Sequence, residues 1–401
     1  MKKQIIDLSA REGFVCLGSE CPRDCCHGWD TIEVDANTLD KWNATQDTEA
    51  KQLLMNYINT SANGISVMKK TEEKICMALN DKKLCSIQLQ FGHDYLSETC
   101  RSFPRLNFQN YYRSYNSASL SCPAIVEKAL FGVNSAPLFS ISKSNEQYEQ
   151  NNQGPTEHDK PLYALDIFLA GILEKSEYPI GVSLFFISDV FMKIINMSKA
   201  GDLSEEFIQQ LQKNTDTYLT DISKAVKHGK LKPNPVTAGS FWKNVYELCE
   251  IRHINKKYLD DYSAGLIQAI ERCDDSFASF SKVYASINQY KKKGKKQIKQ
   301  QYLPLLRKYI NIIFINKGFP LAPKYNHDLI LVDCMINLCV LQLLMWIEIN
   351  KNGKLTDEFI KDCIVEVDRK FVQHEGVIKH LGTNPHMMQI EKYCPSFLDL
   401  F

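Results

Sequence analysis

The sequence predicts a mainly α-helical protein. A small α+β, cysteine-rich N-terminal domain over residues 1–141 leads through a polar linker over 142–160 into an all-helical C-terminal domain over 161–401. Three observations predict this. Eight of the fourteen cysteines fall within the first 122 residues, among short alternating segments. Residues 142–160, SKSNEQYEQNNQGPTEHDK, are polar and of low complexity, as a boundary or long loop is. Beyond them apolar residues recur at spacings of three and four, as in Leu165, Phe168, Leu169, Ile172 and Leu173, the period of a helix with one buried face.

In chain order, residues 2–16 read as a strand or extended entry to the first cysteines. Thr31-Ile-Glu-Val34 alternates like a short strand, and Asp35 caps a helix running through Trp42. A second helix is expected over Glu49 to Tyr57, and short strands over Ile65–Met68 and Lys74–Leu79. Ser61-Ala-Asn-Gly64 has the composition of a turn. Gly92 interrupts the periodicity after Cys85, and Pro104 ends the segment that carries Cys100. Pro123 suits the first position of a helix that continues to Leu130. Further helices are expected over 161–175, 180–198, 203–228, 239–252, 255–290, 297–316, 326–349, 356–370 and 385–392. Leu329 to Ile347 is nearly long enough to span a bilayer. It carries Asp333, Asn337 and Gln342, so it reads as a buried core helix, with membrane contact as the alternative.

Composition narrows the function classes. At 401 residues, 44% apolar and 24% charged, the chain has the make-up of a soluble globular protein. A net charge of +1 supplies no field for nucleic acid, and no nucleic-acid partner is expected. The start MKKQIIDLS lacks the apolar run of a secretory signal, which places the expected location in the cytoplasm. There, clustered cysteines are metal ligands rather than disulfides, and scattered ones (249, 273, 334, 339, 363) are small core residues. Lys291-Lys-Lys-Gly-Lys-Lys296, the one strong basic run, reads as a solvated loop between helices. Its functional alternative is peripheral contact with an anionic membrane or an acidic partner.

Thiolates bind zinc and iron–sulfur clusters well. The candidate ligands are Cys21, Cys25, Cys26, Cys85, Cys100 and Cys122, with Cys16 and Cys76 as further candidates that read equally well as ordinary buried thiols. His27 is a lesser candidate, and Trp29 is expected to shield the metal from water. Spacing alone does not select the metal. A Cys-x2-Cys knuckle is absent, and the Cys-x3-Cys-x2-Cys triplet of radical S-adenosylmethionine enzymes fails at Gly28. No Gly-x-Gly-x-x-Gly follows a strand, so a Rossmann methyltransferase is not expected.

Four stretches carry a resemblance: Cys21-Pro-Arg-Asp-Cys25-Cys26-His-Gly-Trp29, Leu84-Cys85-Ser-Ile-Gln-Leu-Gln-Phe-Gly92, Leu96-Ser-Glu-Thr-Cys100-Arg101-Ser-Phe-Pro104-Arg105 and Ser119-Leu-Ser-Cys122-Pro123. Together they resemble the flagellin lysine-N-methylase family and, more widely, zinc- or iron-chelating cysteine domains. The resemblance implies a protein-lysine N-methyltransferase acting on flagellin before export. It implies S-adenosylmethionine as methyl donor and a cysteine-held [4Fe–4S] cluster, with zinc as the alternative metal. Arg101 and Arg105 are candidates for gripping the donor carboxylate through a bidentate fork. The competing reading is a non-enzymatic, zinc-stabilised adaptor.

Overall fold

The structure is a computed structural model. It describes residues 2–27, 29, 31–61, 63–109, 113–132, 137–147, 165–252, 254, 264–318, 327–372 and 395–398. The chain divides into two compact units, one built on Ile5–Phe108 and Ser114–Ser142, the other on Lys143–Phe401 with Met1–Gln4 and Gln109–Arg113. The predicted class holds: a small strand-containing N-terminal region precedes a helical C-terminal one.

The N-terminal region carries six strands, β1 (Lys2–Leu8), β2 (Ile58–Thr60), β3 (Ser66–Met68), β4 (Arg105–Gln109), β5 (Arg113–Ala118) and β6 (Phe139–Gln147). They form a four-stranded sheet in the order β4-β5-β1-β6 and an antiparallel ribbon of β2 with β3. The expected turn joins that ribbon, where Gly64 takes φ of 76° and its N–H bonds Ser61 O. Five short helices accompany the strands: α1 (Ala36–Asn43), α2 (Thr48–Asn56), α3 (Ser86–Phe91), α4 (Glu98–Ser102) and α5 (Pro123–Val126). Ile32, Val34, Trp42, Leu54 and Met68 form a core with Cys76, Ile87 and Leu96. Trp42 is wholly enclosed, and its indole N–H is satisfied by Tyr95 O at 2.9 Å.

Two expected strands are absent. Thr31–Val34 makes only a single bridge, Glu33 to Val67, because α1 begins at once after Asp35. Lys74–Leu79 does not run straight, since Lys74 adopts φ of +67° and turns the chain back. Residues 142–147 lie in β6, and 148–160 lie outside the described residues.

The helical unit contains α6 (Leu165–Glu174), α7 (Ile180–Ala200), α8 (Glu205–Lys227), α9 (Pro235–Ile251), α10 (Ala264–Glu271), α11 (Phe277–Gln297), α12 (Leu303–Asn316), α13 (His327–Asn352) and α14 (Asp357–Val367). Side-chain caps set their starts: Ser204 for α8, Asn234 for α9, Ser276 for α11 and Thr356 for α14 each accept a first-turn N–H. The Asn234 cap, with Pro235 at the first position, starts α9 four residues before the expected 239. The helix expected over 255–290 is two helices. Asp275 at φ +62° breaks it and Ser276 starts the next; residues 255–263 lie outside the described residues.

The lysine run is a correction. It lies inside α11, not in a loop, and Lys291 is buried. Gly294 permits this, because a Cβ there would stand 2.8 Å from Ile349 Cδ1 and 3.3 Å from Trp346 Cδ1 of α13. Leu331–Asn352 is the one helix among the described residues long and apolar enough to cross a membrane, but 94% of its apolar window is buried inside the fold. It is a core helix. Asp333 within it pairs with Lys317 at 2.5 Å, and Asn337 Nδ2 donates to Asp333 O at 2.6 Å. Cys249, Cys334, Cys339 and Cys363 are buried, as expected of core thiols. Cys273 is half-buried between α10 and α11, 3.3 Å from Ser279 Oγ. The expected helix over 385–392, residues 161–164 and Cys394 lie outside the described residues.

Candidate functional site

Hydrogen-bonded turns, rather than long elements, position the thiols of the N-terminal unit. Cys76 and Cys85 close two hairpins of the same build. In the first, Lys70 bridges Cys76 across Thr71–Ile75; in the second, Leu79 bridges Cys85 across Asn80–Leu84. Each loop is tied by the same bonds. Thr71 Oγ1 accepts Ile75 N–H at 3.3 Å, and Asn80 Oδ1 accepts Leu84 N–H at 3.0 Å. Lys74 and Lys83 take positive φ at the same loop position, 67° and 57°. The chain thus repeats Thr71-Glu-Glu-Lys-Ile-Cys76 as Asn80-Asp-Lys-Lys-Leu-Cys85, nine residues later.

Asp35 places a third thiol. Its carboxylate accepts Thr38 N–H at 3.0 Å to cap α1, and its other oxygen accepts Glu98 N–H at 2.8 Å at the start of α4, which carries Cys100. α4 stops at Ser102, before Phe103 and Pro104. Cys25 and Cys26 lie on a single 3-10 turn, Cys25–His27, docked by Cys76 N–H to Cys26 O at 3.2 Å.

These turns bring five thiols, Cys25, Cys26, Cys76, Cys85 and Cys100, to the wall of one cavity of about 30 Å³. The rest of the wall is mostly apolar, including Ile32, Trp42, Ile87 and Leu96. Trp29 and Phe103 also line it, as an edge-to-face pair with ring centroids 5.3 Å apart. Trp29 therefore stands where a shield against water would.

The thiols tune one another. Cys26 is pushed far up by its hydrogen bonds to Cys25 and Cys76, and burial adds to this. Its partner Cys76 is pulled down to about 7, chiefly by that bond, with help from the Lys70 charge and against burial. Burial raises Cys85, and raises Cys100 to about 12. Hydrogen bonds from Ile87 and Gln88 N–H to Cys85, and from Ser97 to Cys100, oppose the rise. Soft sulfur donors in a mostly apolar wall, several already receiving N–H or O–H bonds, are the surroundings in which iron–sulfur clusters are held and their potentials set. The donor set fits such a cluster. Among the described residues no group of three or more His, Cys, Asp or Glu side chains stands ready around a single ion. One zinc would require four ligands to converge to within about 2.3 Å of it.

The other candidates lie elsewhere. Cys16 is exposed and accepts Gly18 N–H at 3.4 Å; Cys21 is half-buried with its thiol 3.3 Å from Arg23 O. Cys122 is buried at the start of α5, and burial raises it to about 11. None of the three lines the cavity. Nor does His27, whose Nδ1 is held by Asp24 at 2.7 Å. Arg101 pairs with Glu98, and Arg105 lies over the Phe14 ring, 5.4 Å from its centroid. The sequence alone leaves Cys76 a weaker candidate, reading equally well as an ordinary buried thiol. The repeat Thr/Asn-x-x-Lys-Ile/Leu-Cys is the signal that pairs it with Cys85.

Two curated relatives, each named lysine-N-methylase, come from Salmonella typhimurium and Salmonella choleraesuis. Each is 26% identical to this chain over 203 residues, which is 49% of this chain and 49% of the relative. The match thus spans about half the length of those relatives. A third, the flagellar biosynthetic protein FliU of Salmonella muenchen, is 33% identical over 128 residues, 29% of this chain and 71% of that protein. No protein-family model matches the chain. No solved structure matches it either.

Proposed function

The chain belongs to the family of the Salmonella lysine-N-methylases and FliU, and from that premise we propose that it is a protein-lysine N-methyltransferase. It transfers the methyl group of S-adenosylmethionine to lysine side chains of flagellin in the cytoplasm, before export. The thiol-lined cavity carries the rest of the proposal. Cys25, Cys26, Cys76, Cys85 and Cys100 are the pool from which a [4Fe–4S] cluster takes its ligands, because these five face one apolar space. Such a cluster would supply iron as a Lewis acid or a one-electron centre beside the substrate. Trp29 and Phe103 line this space beside the thiols, and Cys76 is pulled below the ordinary thiol value by its bond with Cys26. The substrate amine, near pKa 10.4 in water, must lose its proton before it accepts a methyl group.

The test is anaerobic purification, iron and sulfide analysis, and incubation with flagellin and methyl-labelled S-adenosylmethionine. Brown protein containing iron and sulfide, with label on flagellin lysines, is the expected outcome. Colourless zinc protein that labels nothing sinks both parts and returns the chain to the adaptor reading. Among active preparations, S-adenosylhomocysteine alone marks polar transfer, whereas 5′-deoxyadenosine marks reductive cleavage of the donor.

A further inference from the structure

Between Asp275 and Asp328 the sequence holds ten lysines and one arginine and no aspartate or glutamate, although the whole chain carries a net charge of only +1. Helix α11 and the π turn after it, Ile298–Tyr302, take most of that charge. One side of α11 is core: Val283, Ile287, Lys291 and Ile298 are buried, and Gly294 lies against Trp346 and Ile349 of α13. The other side is exposed, and on it stand Lys282, Lys292, Lys295, Lys296 and Lys299. They run along about 25 Å of helix, at about 1.5 Å per residue. None of the five forms an ion pair among the described residues. Glu247 of α9 and Asp275 pair with Lys243 instead, and Glu348 of α13 accepts Asn352 Nδ2. Lys292 and Lys299 each stand three or four residues from Lys295 and Lys296, the spacing at which like charges repel along a helix face. Helix stability does not select such a set; an anionic surface does.

The kind of surface follows from the rest of the helix. Phe277 opens α11 and is 78% exposed, the most exposed large apolar side chain among the described residues. It stands on the same side as Lys295, about five turns away. The exposed charges are lysines throughout, point charges on flexible stems, with no arginine fork among them. No exposed aromatic ring stands between them for a base to stack on. A row of lysines with an apolar anchor at one end fits the diffuse negative charge and apolar boundary of an anionic bilayer. We propose that this side of α11 docks on an anionic lipid bilayer, with the five lysines facing the headgroups and Phe277 entering the interface. The attraction is electrostatic, so salt weakens it.

The full chain is sedimented with vesicles of phosphatidylcholine alone and of phosphatidylcholine and phosphatidylglycerol in equal parts. It binds the anionic vesicles and not the neutral ones, and releases them as salt rises. Each lysine near such a surface is worth about a fivefold change in partitioning. Lys292→Gln combined with Lys296→Gln therefore lowers partitioning about 25-fold, and adding Phe277→Ser lowers it further. Lys213→Gln combined with Lys230→Gln, at two lysines exposed elsewhere, leaves it unchanged. Thermal melting shows both double variants folded. Absent or equal partitioning into the two kinds of vesicle overturns the proposal, as does equal loss in the two double variants. So does tighter binding to polyuridylate RNA or to polyglutamate than to the anionic vesicles, which assigns the face to nucleic acid or to an acidic protein.

Discussion

The same side chain does different work in the two units. In the helical unit Cys249, Cys334 and Cys339 are enclosed, and burial raises all three thiols far above their ordinary ionisation. They behave as small hydrophobes on helix faces. In the N-terminal unit Cys76 is also enclosed, yet it faces four other thiols across a cavity and ionises more easily than a free thiol. Burial therefore does not separate a cavity thiol from a core filler; the partner across the space does. The means of placement differ as well. Helix packing fixes the core thiols, whereas capping bonds and two tight hairpins fix the cavity thiols, where one lost hydrogen bond can move a sulfur.

That contrast can be broken most directly with thiol substitutions. On the cluster reading, Cys100→Ser loses most of the iron that the wild type binds, measured on anaerobic protein by elemental analysis. Cys339→Ala should keep its metal and lose only about 1 kcal/mol of stability, the usual size for a point substitution. Equal metal content in the two variants would erase the distinction.

Next in size is Gly239→Ala in α9. A Cβ there would meet Phe280 O at 1.9 Å, so α9 and α11 must separate. Overpacking of this kind costs about 1–3 kcal/mol or more. Urea denaturation should show the loss in the helical unit while metal content is unchanged.

Asp35→Ala tests the capping bonds. It should cost about 1–2 kcal/mol, since one carboxylate serves two helix starts. Burial pushes the Asp35 carboxyl up, but hydrogen bonds from Glu98 N–H and from the Thr38 hydroxyl and N–H outweigh it, and the folded pKa lies below the usual range. Its contribution is therefore full above the unfolded carboxyl value, about 3.9, and fades as pH falls through the lower folded value. The stability gap between wild type and variant should close in strong acid; a gap independent of pH would assign the loss to packing instead. Smallest and opposite in sign is Gly171→Ala in α6, where a Cβ meets nothing within 4 Å. Thermal melting should show a gain of about 0.5–1 kcal/mol, because alanine loses less entropy on joining a helix.

Much of this was legible in the sequence. Period-three-and-four patterns located the long helices, and Asp35, Pro104 and Pro123 act where turn and cap chemistry put them. The break at Asp275 was not legible, because the apolar period runs on through it while the chain uses a single left-handed residue and a serine cap. The helical setting of the lysine run is not legible from charge, which says nothing about a glycine that lets two helices touch. At the site, thiol clustering pointed to the unit that holds the cavity, but spacing along the chain does not give spacing in space. Cys21 is four residues from Cys25 and stays outside the cavity wall, whereas Cys76, fifty residues on, lines it.

All five cavity thiols lie between residues 25 and 100, and their supporting turns are complete by Phe103. Synthesis proceeds at about 5–20 residues per second. About 300 residues of the sequence follow Phe103, and their synthesis takes on the order of 15–60 s at that rate. Every thiol of the cavity is therefore out of the ribosome long before the sequence ends, and on the cluster reading the metal on offer at that moment would compete first for the site.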